Sequence, residues 1–379
     1  MRCSSMTKPK TFITTSVFKD IINHPRMGED ARNRIRDAWK ALEEVSEVEI
    51  FEGRFPDEAL IRKAILDPAV RFIGCHLSHE IKPEWLEQSN IIAVATSTMG
   101  YDHVGKVPGV LITHTPSVLQ ATVADYTMAL ILANLRNIIS LHETVWNGEW
   151  EPGQKWDLDG NLSKALDGQV VGLIGLGEIG SEVARRLVPW NTKTLYFDID
   201  RKPHLERDLG LIYESSIEMI FKEADVISLH VPLNDNTRGM FDKRYLSLMK
   251  PSSLLVNTAR GGIINTGDLL DLLEADDIKV HLAFDVHETE PIDPDILQRF
   301  RKIKENNPDL RFVFTPHNAS ADVNTRGEMA AMLLEDLARI AGSTKPEDIE
   351  ECRLIGRQRQ DLKDGKMESY RIHGFWKKK

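Results

Sequence analysis

Residues 170–180 read VVGLIGLGEIG, an apolar run that ends in Gly175, Gly177 and Gly180. No other stretch restricts the fold of this chain as tightly. The spacing is G-x-G-x-x-G, a weak signal when it stands alone. Here it closes a strand-like run, opens the helix-like SEVARRLVPW, and is followed by Asp198 at the end of the next strand-like run, TLYFD. In that setting Gly175 permits a tight turn, Gly177 lets a pyrophosphate approach the backbone, and Gly180 lets the helix pack on the strand. The amides that open the helix then face the phosphates. Asp198 is placed to accept hydrogen bonds from an adenosine ribose and to repel a 2′-phosphate, which favours NAD over NADP. Arg201 and Lys202 lie close by and weigh the other way. The plain alternative is an ordinary strand–helix turn beside a surface Asp.

The pattern around this loop extends it to a fold. From Gln169 onward, strand-like and helix-like runs alternate: QVVGLIG, TLYFD, DVISLHV, SLLVNTA, KVHLAFDV and RFVFT are separated by helical segments. The apolar runs do not alternate with polar residues, so both faces are expected to be buried, as in a parallel, doubly wound α/β sheet. The first ~115 residues form a second, smaller α/β pattern, with KTFITTSVF, VEIFEG, VRFIGCH, NIIAVATS and GVLITHT as strands. EDARNRIRDAWKALEEV is an amphipathic helix, with Ile35, Trp39 and Leu42 on one face. Between the two patterns, ATVADYTMALILANLRNIISLHETVWNGEW is expected to be one long helix that could bridge two domains. A loop over residues 151–169 follows it. The last ~30 residues, from Glu351, hold nine Lys or Arg against four acids. A solvated extension over the small domain is the favoured expectation, and a partner-binding arm the alternative.

Composition removes whole classes. The 379 residues are 41% hydrophobic, which suits roughly two soluble globular domains. No apolar run reaches the ~18 residues of a membrane span, and no secretory leader is evident, so no membrane partner is expected. The formal charge of −10 argues against a nucleic-acid partner. Cys3, Cys75 and Cys352 are odd in number and far apart, giving neither a disulfide framework nor a metal pair. A cytoplasmic location is the expectation.

In open α/β sheets, ligands bind beyond the carboxyl ends of the strands. Arg260 ends LLVNTAR, Asp285 ends VHLAFD with Glu290 five residues on, and His317 follows FVFTP. Singly, each could be a loop residue. Together they make an acid/base constellation of a fixed cation, a carboxylate and an imidazole. It suits hydride transfer to or from a carbon that bears oxygen. The imidazole exchanges the proton near neutral pH, a carboxylate on its other nitrogen sets the tautomer, and Arg clamps a substrate carboxylate.

At these motifs the chain resembles the D-isomer-specific 2-hydroxyacid dehydrogenases, and especially the glyoxylate and hydroxypyruvate reductases. The matching segments are TPSVLQATVADYTMALIL, VGLIGLGEIGSEVARRL, ADVISLHVPLNDNTRGM, LLVNTARGGIIN, FDVHETEP and TPHNAS, from about Ser97 to His317 and beyond. The resemblance implies a Rossmann NAD-binding domain over residues 122–321. It also implies a smaller flavodoxin-like substrate domain over residues 1–121 and 322–379, with the active site between them. It implies catalytic roles for Arg260, Glu290 and His317. The cofactor residues implied are Gly175, Gly177, Glu178, Ile179, Gly180, Asp198, Val231, Thr258, Ala259, Arg260, Asp285 and His317, with Asp285 on the nicotinamide carboxamide. Substrate is expected at Met99, Gly100 and Arg260.

FDVHETEP is then not a metal site, since two His or Cys partners at ligand spacing are missing. Asp285 orients cofactor, Glu290 partners His317 and Glu288 is solvated. The chain departs from the family pattern at Asp125, Asn265, His287 and Asn318, the last two of which bear on substrate identity. Glu290, where formate dehydrogenases carry Gln, counts against formate. The expected activity is NAD-dependent interconversion of a small 2-oxo acid, such as glyoxylate or hydroxypyruvate, and its D-2-hydroxy acid. A phosphite or sugar-acid dehydrogenase and an NAD-sensing, corepressor-like dimer remain as alternatives. A two-fold homodimer is expected through the long helix from Thr122 and through Trp146, Trp150 and Trp156.

Overall fold

The computed structural model describes residues 8–151 and 158–379. The chain divides into two compact units. One comprises the chain up to Leu119 together with Ala321–Lys379, and the other Gln120–Ser320.

The first unit holds strands β1 (Lys10–Ile13), β2 (Glu47–Ile50), β3 (Val70–Cys75), β4 (Ala93–Thr96) and β5 (Leu111–Thr113). They form one parallel sheet in the order β2-β1-β3-β4-β5, the flavodoxin-like order. Helix Glu29–Val45 buries Ile35, Ala38, Trp39 and Leu42, the face the sequence spacing marks out. It packs on helix Val323–Gly342, which the sequence reading does not identify. That helix is buried almost all round, so it lacks the one-sided apolar stripe that flags a surface helix. A Cβ at Gly327 would meet the flexible tip of Met27, just before helix Glu29–Val45, at 2.8 Å.

The basic C-terminal stretch corrects an expectation. It is not a solvated extension but part of the first unit's core. Met367, Ile372 and Trp376 are buried, and the Trp376 indole donates to Ser343 Oγ at 2.8 Å. The Arg371 guanidinium donates to the carbonyls of Leu86, Ser89 and Ile91 at 2.9–3.0 Å. The Gln358 amide takes up the Ile112 N–H and the Val110 carbonyl beside β5, both at 2.8 Å. The stretch thus covers an edge strand that would otherwise present open backbone. Its charge count misled because charged side chains such as Arg371 and Lys379 are engaged with backbone carbonyls rather than water alone.

The second unit holds β6 (Val170–Ile174), β7 (Lys193–Phe197), β8 (Ile212–Tyr213), β9 (Val226–Leu229), β10 (Leu254–Asn257), β11 (His281–Phe284) and β12 (Phe312–Phe314). All pairs are parallel, in the order β12-β11-β10-β9-β6-β7-β8. Every residue of β9, β10 and β11 is buried, as continuous apolar runs require of a sheet covered on both faces. The strand order reverses between β6 and β9, so the crevice beyond their carboxyl ends is the topological switch point where such sheets bind ligands. The two-residue edge strand β8 escapes the sequence reading because it is too short to show a period.

The long helix expected after Thr122 is broken in the structure. Helix Gln120–Leu135 is buried on most sides and ends before Asn137, whose φ of 52° lies in the left-handed region. Asn tolerates that conformation and ends helices there. Helix Ile138–Trp146 then starts anew. Trp156 lies outside the described residues, as does Cys3. Among the described residues no helix is long and apolar enough to cross a membrane.

Candidate active site

Six chain segments meet the carboxyl edge of the larger sheet, and each is shaped by identifiable residues. The glycine loop follows β6. Gly175 has φ +94°, and a Cβ there would stand 2.6 Å from the His230 carbonyl oxygen in the segment after β9. A Cβ on Gly180 would overlap the Gly175 carbonyl, so the helix Glu178–Leu187 can sit this close only with glycine there. Gly177 has nothing within 4 Å of its Cβ position, so this face of the loop is open for a phosphate. Asp198, just past β7, accepts the Leu176 N–H at 2.6 Å and the Asp200 N–H at 2.9 Å. The acid predicted to read the ribose is therefore tied directly to the glycine loop. These residues fit the adenosine diphosphate half of a dinucleotide.

After β9, His230 is half-buried, and desolvation holds its pKa down at about 4. It is neutral and bonded to Ser228 Oγ at 2.9 Å. Val231 follows it at the edge of the core. After β10, Thr258, Ala259 and Arg260 form a turn braced by buried Asn257. The Asn257 amide donates to the Arg260 carbonyl at 2.9 Å and accepts the Ala259 N–H at 3.0 Å. Thr258 Oγ1 lies 2.9 Å from Thr127 Oγ1 on helix Gln120–Leu135. Arg260 Nη1 donates to the Ala259 carbonyl at 2.9 Å. Gly261 then touches the loop after β11 so closely that a Cβ would overlap the His287 carbonyl. That contact brings Arg260 and FDVHETEP to one place.

The loops after β11 and β12 are joined by Asp285. It is fully buried and accepts Thr315 Oγ1 at 2.6 Å, Asn318 N–H at 2.8 Å and Ala319 N–H at 2.7 Å. Its own carbonyl accepts the His317 N–H at 2.7 Å. His317 has φ 54°, a left-handed conformation that costs a non-glycine residue about 1–3 kcal/mol. The bonds to Asp285 offset that cost and hold the imidazole's backbone. His317 Nδ1 lies 2.7 Å from Glu290 Oε2, and Glu290 Oε1 accepts the His287 N–H at 3.1 Å. Burial raises the Glu290 pKa, but the His317 hydrogen bond and charge and the His287 amide outweigh it, so the carboxyl sits below its usual range. A carboxylate only accepts, so His317 Nδ1 is the donor and Nε2 is the nitrogen left to exchange a proton. Glu288 is exposed.

Arg260, Asp285, Glu290 and His317 thus stand at the ends of three adjacent strands, β10, β11 and β12. Sequence reasoning missed Asn257 and Thr315, which aim the turns rather than the chemistry. It also missed the second task of Asp285. In the first unit, Met99 and Gly100 follow β4. The Met99 carbonyl is bonded to His114 Nδ1 at 2.8 Å, and the Gly100 carbonyl accepts Thr98 Oγ1 at 2.6 Å. Beyond β3, the His76 and His79 rings lie 3.8 Å apart, a pair the sequence reading passes over. Among the described residues no three His, Cys, Asp or Glu are grouped to hold a metal.

A fold with its glycine loop at the switch point and an imidazole–carboxylate pair three and four strands away defines a dinucleotide-dependent oxidoreductase. Comparison with known proteins makes that specific. Residues 128–319 match the model of the D-isomer specific 2-hydroxyacid dehydrogenase, NAD binding domain. The glyoxylate reductase of Aeropyrum pernix is 31% identical over 353 residues, covering 91% of this chain and 96% of that one. The glyoxylate reductase of Pyrococcus furiosus is 32% identical over 338 residues, covering 87% and 91%. Among solved structures, a glyoxylate reductase from Paecilomyes thermophila superposes with a TM-score of 0.72 at 24% identity, covering 93% of this chain and 100% of that chain. A D-lactate dehydrogenase from Aquifex aeolicus, complexed with NAD and lactic acid, does so at 0.71 and 22%, covering 91% and 99%. At such identities these two speak for the fold alone. The chain belongs to the D-isomer-specific 2-hydroxyacid dehydrogenase family, close to its glyoxylate reductases. It is an NAD-dependent 2-hydroxyacid dehydrogenase.

Proposed function

We propose that this enzyme reduces a small 2-oxo acid, with glyoxylate and hydroxypyruvate as the first candidates, to the D-2-hydroxy acid. The observation that carries the reading is the 2.7 Å contact between His317 Nδ1 and the Glu290 carboxylate, beside the Arg260 turn. His317 is the acid/base: its Nε2 delivers a proton to the carbonyl oxygen during reduction and takes it back in the reverse direction. Glu290 sets the tautomer and stabilises the imidazolium. Arg260 holds the substrate carboxylate in its planar fork and polarises the neighbouring carbonyl. In the first unit, Met99 and Gly100 are the residues we assign to substrate, through their backbone amides.

Gly175, Gly177, Glu178, Ile179 and Gly180 cradle the cofactor pyrophosphate, and Asp198 takes the adenosine ribose. Val231, Thr258, Ala259, Arg260, Asp285 and His317 line the nicotinamide end. When bound, the nicotinamide supplies or accepts the hydride. Residues 122–321 serve as the NAD-binding domain, and residues 1–121 with 322–379 as the substrate domain. Helix Ile138–Trp146 supports a homodimer, since Ile138, Val145 and Trp146 are 51%, 58% and 81% exposed and Trp150 is 63% exposed. Cys75 and Cys352, both free and buried, support a reducing, cytoplasmic setting.

The test is NADH oxidation with a panel of 2-oxo acids. Turnover is expected, with glyoxylate or hydroxypyruvate giving the highest kcat/KM. Tight NADH binding without turnover of any 2-oxo acid would remove the enzymatic reading in favour of a dinucleotide-sensing binder.

A further inference from the structure

The ribose end of the glycine loop carries more charge than Asp198. Residues 198–206 hold three acids, Asp198, Asp200 and Glu206, against two cations, Arg201 and Lys202. A guanidinium three residues past the ribose acid is well suited to grip a 2′-phosphate. In the structure that fork is already occupied. Arg201 Nε donates to Glu206 Oε1 and Arg201 Nη2 to Glu206 Oε2, both at 2.8 Å. The pairing is bidentate, the geometry that makes a guanidinium–carboxylate contact strong and directional.

The carboxylate is the anchored partner. Its side chain is 17% accessible against 58% for Arg201. Glu206 Oε1 also accepts the hydroxyl of Tyr196 at 2.8 Å, and Tyr196 is a fully buried residue of β7. The Tyr196 oxygen in turn accepts the Lys202 N–H at 2.8 Å. Arg201 is further held over the ring of Tyr213 on β8, 5.1 Å from its centre. Arg201 is therefore drawn onto an inner carboxylate and an aromatic face.

We propose that Glu206 is a specificity-determining residue for the dinucleotide: by occupying the Arg201 fork it withholds the cation a 2′-phosphate would need, and so adds to the discrimination exerted by Asp198. The inference rests on the reading of Asp198 as the ribose partner. Without Glu206, the local balance changes from three acids and two cations to two of each, and the fork is released. Glu206 does not touch the reacting atoms and acts through Arg201.

The experiment is titration calorimetry of the full chain with 5′-ADP and with adenosine 2′,5′-bisphosphate, at fixed ionic strength. Wild type is compared with Glu206→Gln, which keeps an oxygen for Tyr196, and with the double variant Glu206→Gln/Arg201→Gln. Glu206→Gln should raise the affinity for the bisphosphate about tenfold relative to 5′-ADP, the scale of one charge-assisted phosphate contact. The double variant should lose that gain. An unchanged ratio in Glu206→Gln, or a gain that survives in the double variant, overturns the proposal. So does an equal fall for both ligands, which is what a purely structural role predicts. Should Glu206→Gln fail to fold, Arg201→Gln alone decides. The locked fork predicts a ratio within about twofold of wild type, and a tenfold fall for the bisphosphate would show the fork already available. If wild type binds neither nucleotide, the reading of Asp198 fails and this inference with it.

Discussion

The proposed mechanism concentrates most of the chemistry in the side chain of one residue, His317. Its backbone stands in the left-handed region, its ring is tied to Glu290, and its turn hangs from Asp285. His317→Ala should therefore leave NADH binding within the range of wild type while cutting kcat by roughly 10²–10⁴, the usual contribution of a positioned proton donor. Stopped-flow binding beside steady-state rates checks both halves. A variant that loses NADH affinity and rate together would place His317 in cofactor binding alone. Arg260→Lys keeps the charge but loses the planar fork, so it should raise KM and lower kcat in the same variant. A change confined to KM would limit Arg260 to holding substrate. The candidate groups Arg260, Asp285 and His317 were legible in the sequence because each stands at or just past the end of a strand-like run. The groups that aim them were not. Asn257 and Thr315 look like ordinary polar residues until the fold brings the Arg260 turn to one and Asp285 to the other.

Among the elements, legibility followed the strength of the local signal. The central strands were plain because both faces are buried and the runs are unbroken. The helix over residues 29–45 was plain because its apolar face repeats at helical spacing. Helix Val323–Gly342 was not, since a helix buried nearly all round has no polar face to mark the period. The break at Asn137 was hidden for a related reason: apolar residues continue on both sides of it. The C-terminal stretch was misread because its cations are counted in sequence but its anchor, Trp376, is decided by packing. Trp376→Ala should destabilise the protein by about 3–5 kcal/mol, as removal of a buried aromatic does. Urea denaturation followed by circular dichroism reads this directly. An unchanged midpoint would return residues 351–379 to the status of a solvated arm.

For the whole molecule, the exposed apolar side chains of helix Ile138–Trp146 and Trp150 are the surface on which the proposed homodimer rests. Light scattering at micromolar concentration should give twice the chain mass, and Trp146→Asp should shift the protein toward monomer through a charge placed in the interface. A monomeric wild type would dismiss the dimer. In the proposed mechanism the activity depends on one pair of groups. Partial desolvation raises the Glu290 pKa, but the His317 hydrogen bond and charge outweigh it and hold the carboxyl below its usual range, so it is ionised near neutral pH. A fixed negative charge favours the protonated imidazole beside it. In that mechanism reduction consumes a proton, so kcat/KM declines as pH rises. Removing the charge must move the decline to lower pH. The decisive measurement is kcat/KM for 2-oxo acid reduction by NADH against pH, wild type beside Glu290→Gln. The account predicts that the alkaline limb of the variant lies on the acid side of the wild-type limb. Superimposable limbs would contradict it and leave FDVHETEP an acidic loop without a part in proton transfer.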